Sequence, residues 1–391
     1  MPPKKDTAAS KGVATPKKAA PAPQRMNPHV ESLDLRTMEP DLSQPELKAA
    51  FEAVYPAGSK PADMFPLVPQ RLDTVVDGVC LPVGNLIQGS MMGDVAGYCL
   101  EFDPHADYTT DDPFLLADML VRRVRLIPLR FGLTAAETQL QFSLNVRNDT
   151  PEHMSVMASD IVPDGAAGAP MFAPTTVLAE LGPGCHLEIK NIRVRSGRGR
   201  AEACMVVSCK GHAVPLDLPE LPRERTHRGL QGDSQRSGFA VPVLESHSRR
   251  IRISTTLPCG RGAAARRLPA EACSQILTRL RATQSVIEAG AQGPQSSTRS
   301  HWTRFADGDE SVLDLHLRGE TGSFGSVLEA ALDEAHPTCT SVTKLLRHVG
   351  ELHVQFRLAV PLEDIDGAFL AGVGVARTVF ESLRTQFEKI A

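Results

Sequence analysis

Two hydrophobic rhythms share this chain: alternation with period two, and apolar positions spaced three and four apart. Leu33 and Leu35 alternate with polar neighbours and predict a strand. Leu47, Ala50, Phe51 and Val54 then recur at helical spacing, with Pro45 near the start, where a missing N–H costs nothing. Pro56 and Gly58 stop that helix. After the turn-rich run Tyr108-Thr109-Thr110-Asp111-Asp112-Pro113, a second helix is predicted, with Asp111 or Asp112 as cap and Pro113 opening it. Its apolar stripe is Leu116, Met119, Leu120 and Val124. It should break at Leu126-Ile127-Pro128-Leu129, because proline disfavours helix in the residue before it.

Residues 140–215 read as β structure. Phe142, Leu144 and Val146 alternate with polar residues, as do Leu187 and Ile189, then Ile192 and Val194, which implies sheets with one wet face. Gly182-Pro183-Gly184 supplies a turn. Residues 216–250 are polar and loop-like. Ile251 and Ile253 alternate with arginines, and a helix follows from about Pro269 to Ala289, with Cys273, Ile276, Leu277, Leu280, Thr283 and Ile287 as its stripe. Residues 290–300 have linker composition.

The last 91 residues predict a unit of their own. Leu313, Leu315 and Leu317 alternate along a strand, and Gly322 and Gly325 flank a turn. Phe324, Val327, Leu328, Ala331 and Leu332 mark a helix, and Leu352, Val354, Phe356, Leu358 and Val360 form the cleanest strand. A long terminal helix carries Phe369, Val373, Ala376, Phe380, Leu383, Phe387 and Ile390, a heptad-like seam that demands a partner surface. Gly372 and Gly374 in that helix fit a place where another backbone comes close. Strand, turn and long helix thus occur at 251–289 and again at 352–391, and strand, turn and short helix at 33–55 and at 312–333. A half repeated with an apolar helical seam suggests a pseudo-symmetric pair within one chain.

Composition narrows the function classes. The chain has 391 residues, enough for roughly two to three domains. Its 42 basic and 46 acidic side chains exclude wholesale coating of nucleic acid. No apolar run reaches the ~18 residues of a spanning helix, and the start of the chain is expected to carry no secretory signal. Residues 1–28 hold six Lys or Arg against Asp6 and few large apolar groups; they predict a solvated basic tail, with a nuclear-import or nucleic-acid-touching arm as the alternative. The eight cysteines form no CxxC pair and read as reduced intracellular thiols.

Several motifs together carry a family likeness. Phe114 to Leu129 ending in Leu-Ile-Pro-Leu, the run FSLNVRND, Ala158-Ser159-Asp160-Ile161, the turn Leu181-Gly182-Pro183-Gly184 with its following basic strand, and Leu268-Pro269-Ala270-Glu271 resemble the α-like assembly subunit of multisubunit RNA polymerases. Residues 301–391 resemble that subunit's small α-like partner, with Gly319 to Gly325 at its acidic helix start. A single chain joining both resembles the fused subunit of large nucleocytoplasmic DNA viruses, over residues 30–391. The sequence departs at Arg125, where the family has glycine, and at 319–325, which lacks the family histidine. The zinc cysteines of some relatives are missing, since no cysteine lies between 99 and 185.

The resemblance implies an α+β fold: two alpha-like dimerisation modules, of mixed or antiparallel sheet with long helices, fused in one chain as a pseudo-heterodimer with an inserted β-rich domain. The divisions expected are a basic tail at 1–28, a first module at 29–131 and 238–290, the insert at 132–237, a linker at 291–300 and a small second module at 301–391. It also implies a non-catalytic scaffold for the largest and second-largest polymerase subunits alongside other small subunits. DNA would be met only through the complex, with no membrane, no cofactor and no zinc site. The location expected is intracellular: virion and host cytoplasm or nucleus if viral, otherwise nucleus. The intramolecular joint would be Ile276, Leu280, Ile287, Phe369, Val373, Phe380, Leu383 and Phe387. The partner-facing surface would be Arg123, Leu126, Ile127, Pro128, Leu129, Gly182, Pro183, Gly184, Arg193 and Arg195.

Catalytic chemistry finds little support in the residues. HExxH, GxSxG, the P-loop signature and a DxDxD metal loop are all missing. Gly197-Arg198-Gly199-Arg200 reads as an inter-strand loop rather than a phosphate cradle, and Asp111-Asp112 and Glu363-Asp364 as helix-start charges. His348 and His353 flank Gly350 but read as surface histidines, and Cys204 and Cys209 point to opposite faces of a strand. Arg193, Arg195, Arg198, Arg200 and Lys210 suggest contact with an acidic protein face, because the aromatics that interleave nucleic-acid patches are missing. The competing readings are a metabolic α+β enzyme with a deep ionisable pocket and a stand-alone DNA-binding regulator.

Overall fold

The computed structural model describes residues 26–37, 70–129, 133–165, 171–172, 176–197, 214–216, 249–257, 265–289, 300–346, 348 and 350–391. The expected helix at 45–54, most of the basic tail and the 216–250 loop, the linker, residues 198–200, and Cys204, Cys209 and Lys210 lie outside them.

The fold is α+β, and among the described residues every strand pair is antiparallel. Its first unit comprises β1 (His29–Thr37), β2 (Gln70–Asp77) and α1 (Leu81–Gly93), then, after a long excursion, β10 (Val214–Pro215), β11 (Ile251–Leu257) and α3 (Leu268–Glu288). The last unit comprises β12 (His301–Asp307), β13 (Glu310–Arg318), α4 (Gly322–Ala335), β14 (Thr340–Leu346), β15 (Glu351–Leu358) and α5 (Ile365–Ile390). The sheet orders are β1-β2-β11-β10 and β12-β13-β15-β14. The two units therefore share one succession, β-β-α-β-β-α, and one strand order.

The repeat extends to single residues. Gly78 and Gly319 each follow the second strand of their unit with φ of +72° and +73°, a left-handed turn that L side chains enter only with strain. Each helix begins three residues later, at Leu81 and at Gly322. Gly84 and Gly325 then occupy the same helical position, three residues beyond those starts. A Cβ on Gly325 would stand 2.9 Å from Leu352 Cδ1 and 3.0 Å from Thr343 Cβ, so this glycine lies inside the helix, under the sheet, and does not flank a turn. The short helix that matches α4 is thus α1.

α1 escaped the sequence reading because it lacks a polar face. Leu81, Val83, Leu86, Ile87, Gln88, Ser90 and Met91 are all buried, which removes the amphipathic signal. The helix packs against α3, α4 and β11 at the centre of the molecule. β2 was also missed, although Leu72, Thr74 and Val76 alternate inward.

Between the two halves of the first unit lie β3 (Gly97–Glu101), β4 (Tyr108–Thr110), α2 (Ala117–Arg125), β5 (Gln141–Arg147), β6 (Met154–Met157), β7 (Ile161–Pro163), β8 (Val177–Leu181) and β9 (His186–Gly197). They form a sheet ordered β3-β9-β5-β7, with β4 also on β9, and a separate β6-β8 pair. β3 and α2 pack in this sheet's apolar cluster with Leu100, Leu120, Val124, Ile127 and Leu144, not in that of the first unit. The two apolar clusters part between Val95 and Leu100.

β9 explains a shift of phase in the sequence. Leu187 and Ile189 are buried at odd positions and Ile192 at an even one. Asn191, with φ of +50°, sits where the register with β5 slips by one residue. A single bulged strand thus reads as two alternating runs.

The first and last units share one apolar cluster, into which Trp302, Phe324, Phe356 and Leu280 all pack. The terminal helix illustrates how tightly. A Cβ on Gly372 would lie 2.5 Å from Leu332 Cδ2 and 3.1 Å from Leu332 Cα on α4, whereas one on Gly374 meets nothing within 4 Å. Only Gly372 marks a close backbone approach. Gly372→Ala should therefore destabilise by about 1–3 kcal/mol through overpacking, despite its better helix propensity. Gly374→Ala should stabilise by about 0.5–1 kcal/mol. Paired urea titrations would read the opposite signs.

Candidate docking surfaces

The seam that joins the first and last units is built from α3 and α5, the most extensive helix–helix contact in the molecule. Ile276, Leu280 and Ile287 from α3 are buried in the same cluster as Phe369, Val373, Phe380, Leu383 and Phe387 from α5. Ile390, the last position of the heptad-like series, is exposed. Polar groups fix the register of the seam. Arg377 Nη1 donates to Gln284 Oε1 at 2.8 Å, and Trp302 Nε1 donates to Val286 O at 3.0 Å. Gln386 on α5 accepts from Val30 N at 2.8 Å and donates to Pro28 O at 2.8 Å, which ties in β1.

Arg279 on α3 is the charged pivot of this seam. Its Nη1 meets Asp94 Oδ2 at 2.8 Å, its Nε meets Glu320 Oε2 at 3.0 Å, and its guanidinium carbon lies 4.8 Å from the Phe324 ring centroid. Burial alone would lower its pKa, but the two carboxylates outweigh burial and hold it above its ordinary value. Sequence reasoning missed this group, because Asp94, Arg279 and Glu320 meet only after both units fold.

A second surface lies on the inserted unit. The apolar positions of α2 fall on two faces. Leu120, Val121 and Val124 enter the core, while Leu116 and Met119, of the same apolar stripe, are 60% and 52% exposed. Phe114 is 88% exposed and Leu126 60%. With Leu115, Leu116, Met119 and Arg123 from this side and Val177 from the other, Phe114 lines an open groove of ≈590 Å³.

Asp111 and Asp112 do not cap α2, which starts only at Ala117. They hold the turn of the β-sheet instead. Asp112 accepts from Gly182 N and Phe114 N, both at 2.9 Å, and these N–H groups keep its carboxyl below the usual range. Asp111 accepts from His186 N. Asp112 thereby clamps the Gly182-Pro183-Gly184 turn to the residues before α2.

The positions assigned to a partner sort into two groups. Leu126, Arg123, Pro183, Gly184, Arg193 and Arg195 are exposed, and Pro128 is partly so. Ile127 and Leu129, at 1% and 0% exposure, belong to the core, and Gly182 is buried against Asp112, so these three support the surface from beneath. Alternation in the Leu-Ile-Pro-Leu corner sends one residue out and the next in. Arg123 Nη1 also donates to Leu178 O at 2.9 Å.

Arg193 and Arg195 line a cleft of ≈1080 Å³ together with Arg122, Arg125, Glu101, Asp103, Asp107 and Asp118. Its charge is mixed rather than basic. Glu101 receives both Arg195 Nη1, at 2.8–2.9 Å, and Arg125. Burial opposes ionisation of Glu101, but the two arginines prevail and lower its pKa. This arrangement pairs charges with one another instead of leaving a reactive group.

Glu363 and Asp364 stand at the start of α5, where Asp364 is the N-cap residue but makes no side-chain cap bond. His348 is exposed, and His353 is half-buried. It stacks on His316, which stacks on His301, across three neighbouring strands. The described cysteines, Cys80, Cys99, Cys185, Cys273 and Cys339, are free thiols. No described helix is long and apolar enough to cross a membrane.

The chain matches no family model. It is similar to proteins described as DNA-directed RNA polymerase RPB3-11 homolog from African swine fever virus. The homologues from a Malawian tick isolate and a Kenyan pig isolate are each 23% identical over 321 residues, and that of the Vero-adapted Badajoz strain is 23% identical over 324. In each case the alignment covers 80% of this chain and 84% of the relative.

Proposed function

We propose that this chain is a non-catalytic assembly subunit of a viral DNA-directed RNA polymerase, with its two α-like modules paired inside one polypeptide. The observation that carries this reading is the doubled β-β-α-β-β-α unit with identical strand order, clasped through α3 and α5. Similarity to the RPB3-11 homologs over 80% of the chain supports it. The joint consists of the eight seam residues named above, and fusion raises the effective concentration of one module near the other to about millimolar or more.

The platform then receives larger chains. The exposed row Phe114, Leu116, Met119 and Leu126, with Arg123, the Pro183-Gly184 turn and Arg193, forms the face for the second-largest subunit. The last unit faces the largest subunit, and other small subunits complete the assembly. Catalysis belongs to the large subunits, DNA is met only through the complex, and the setting is intracellular, in virion or host cell. The inserted unit functions without zinc.

Co-expression of the full chain with the two large subunits tests this. Both should co-purify with it. Phe114→Ser with Met119→Ser should reduce recovery of the second-largest subunit about tenfold, since truncating central apolar anchors costs ~1–2 kcal/mol or more each. Both side chains are solvent-exposed, so the variant should keep its unfolding midpoint. Failure of the wild-type chain to capture either large subunit overturns the proposal.

A further inference from the structure

We propose that the open face of the last unit's sheet holds a zinc-class divalent cation between Asp314, His316 and His353, a site independent of the scaffold role. The placement comes from strand register. His301, His316 and His353 are direct cross-strand partners on β12, β13 and β15, so they form one row on one face. Their rings stack with centroids 4.6 and 4.5 Å apart. Asp314, two residues before His316, points to the same face. It is hydrogen-bonded to His353 Nε2, and its Oδ1 lies 3.9 Å from His316 Nε2.

Two imidazole nitrogens and one carboxylate oxygen, all within 4.8 Å of one another, therefore converge from two adjacent strands. A cation with ~2.0–2.1 Å bonds would replace the Asp314–His353 hydrogen bond, part those two atoms and draw His316 Nε2 inward. The fourth position would stay open to water.

The surroundings suit such a site. Glu351 Oε1 lies 3.3 Å from His316 Nδ1, the nitrogen that faces away from Asp314. A carboxylate there fixes the tautomer that leaves Nε2 free to ligate. All these groups are partly buried, with side-chain exposures of 13–27%. The opposing charges are Lys344, paired across from His353, and Arg318, paired across from Glu351. They limit affinity without entering the ligand set. Imidazole with carboxylate donors selects zinc-like ions over calcium or magnesium.

A second triad, His301, His316 and Glu351, shares the central ring. The Asp314 site is favoured because it leaves Glu351 to orient His316 from outside.

Zinc titration of the untagged full chain, by calorimetry, should show one saturable ion per chain. His316→Ala and His353→Ala should each weaken binding about 100-fold or more, and Asp314→Asn at least about 10-fold. His301→Ala should change it by less than about 3-fold, because His301 is not one of the three ligands. Cobalt loading should give visible absorption bands that zinc displaces and that His316→Ala lacks. Trp302 emission, which reports the core beneath the same sheet, verifies that each variant is folded. Zinc binding unchanged in folded His316→Ala, no saturable binding by the wild type, or a loss in His301→Ala as great as in His353→Ala would overturn the assignment.

Discussion

Phe380→Ala should remove about 3–5 kcal/mol of stability, and should remove it from the first and last units together while leaving the inserted unit unchanged. Phe380 is fully buried, and it belongs to an apolar cluster that contains residues of both repeated units. Loss of a phenyl ring there removes both transfer free energy and packing, because a helix fixed by Arg377, Gln386 and Gly372 has little freedom to collapse into the space. The inserted unit has a separate cluster around Leu100, Leu144 and Ile189. Two cores imply two unfolding transitions, so one overall free energy would misdescribe the chain.

The protein carries its own probe for this experiment. Trp302 is the only tryptophan, it is buried, and it is bonded to α3 from the first strand of the last unit. Its emission follows the shared core and nothing in the inserted sheet. In urea, Phe380→Ala should lower the Trp302 midpoint with little change of slope. Leu144→Ala, a buried position in the other cluster, should leave that midpoint in place and shift only the second circular-dichroism transition. Equal shifts in both transitions for Phe380→Ala would mean that the two cores unfold as one.

What the sequence revealed depended on the kind of signal each element carries. The stripes of α3 and α5 were legible because one face is buried and the other wet, and every seam residue named from spacing is buried apart from Ile390. α1 was invisible for the opposite reason: a helix wrapped on all sides has no polar phase. Within the repeat, β2 corresponds to β13 and α1 to α4, matched by Gly78 with Gly319 and Gly84 with Gly325, while most of residues 33–55 lie outside the described residues. On the docking surface, the corner Leu126 to Leu129 was correctly picked out, but composition alone does not say which of four neighbours face inward. The histidine row and the Arg279 cluster lay beyond any local pattern, since their members are up to 226 positions apart by number and meet only through register and interface.

Arg279 gives the second large effect, and neutralising its partners undoes most of it. Arg279→Ala strips the common partner from Asp94 and Glu320 while both carboxylates stay partly buried. Breaking a fully buried pair costs about 3–5 kcal/mol. Asp94 keeps 34% of its side-chain surface in water, so screening reduces the expected loss to about 2–4 kcal/mol. The guanidinium over Phe324 is lost as well.

In the variant, two like charges face the space the arginine left. The stability gap between variant and wild type is read from Trp302 in urea. Asp94→Asn, Arg279→Met and Glu320→Gln combined should recover most of the loss at pH 7.5, because a neutral, well-packed replacement avoids the buried charge that a single deletion leaves behind. A triple variant as unstable as Arg279→Ala would show instead that the cluster acts through its specific hydrogen bonds, and that the units are held in register by them rather than by the apolar seam alone.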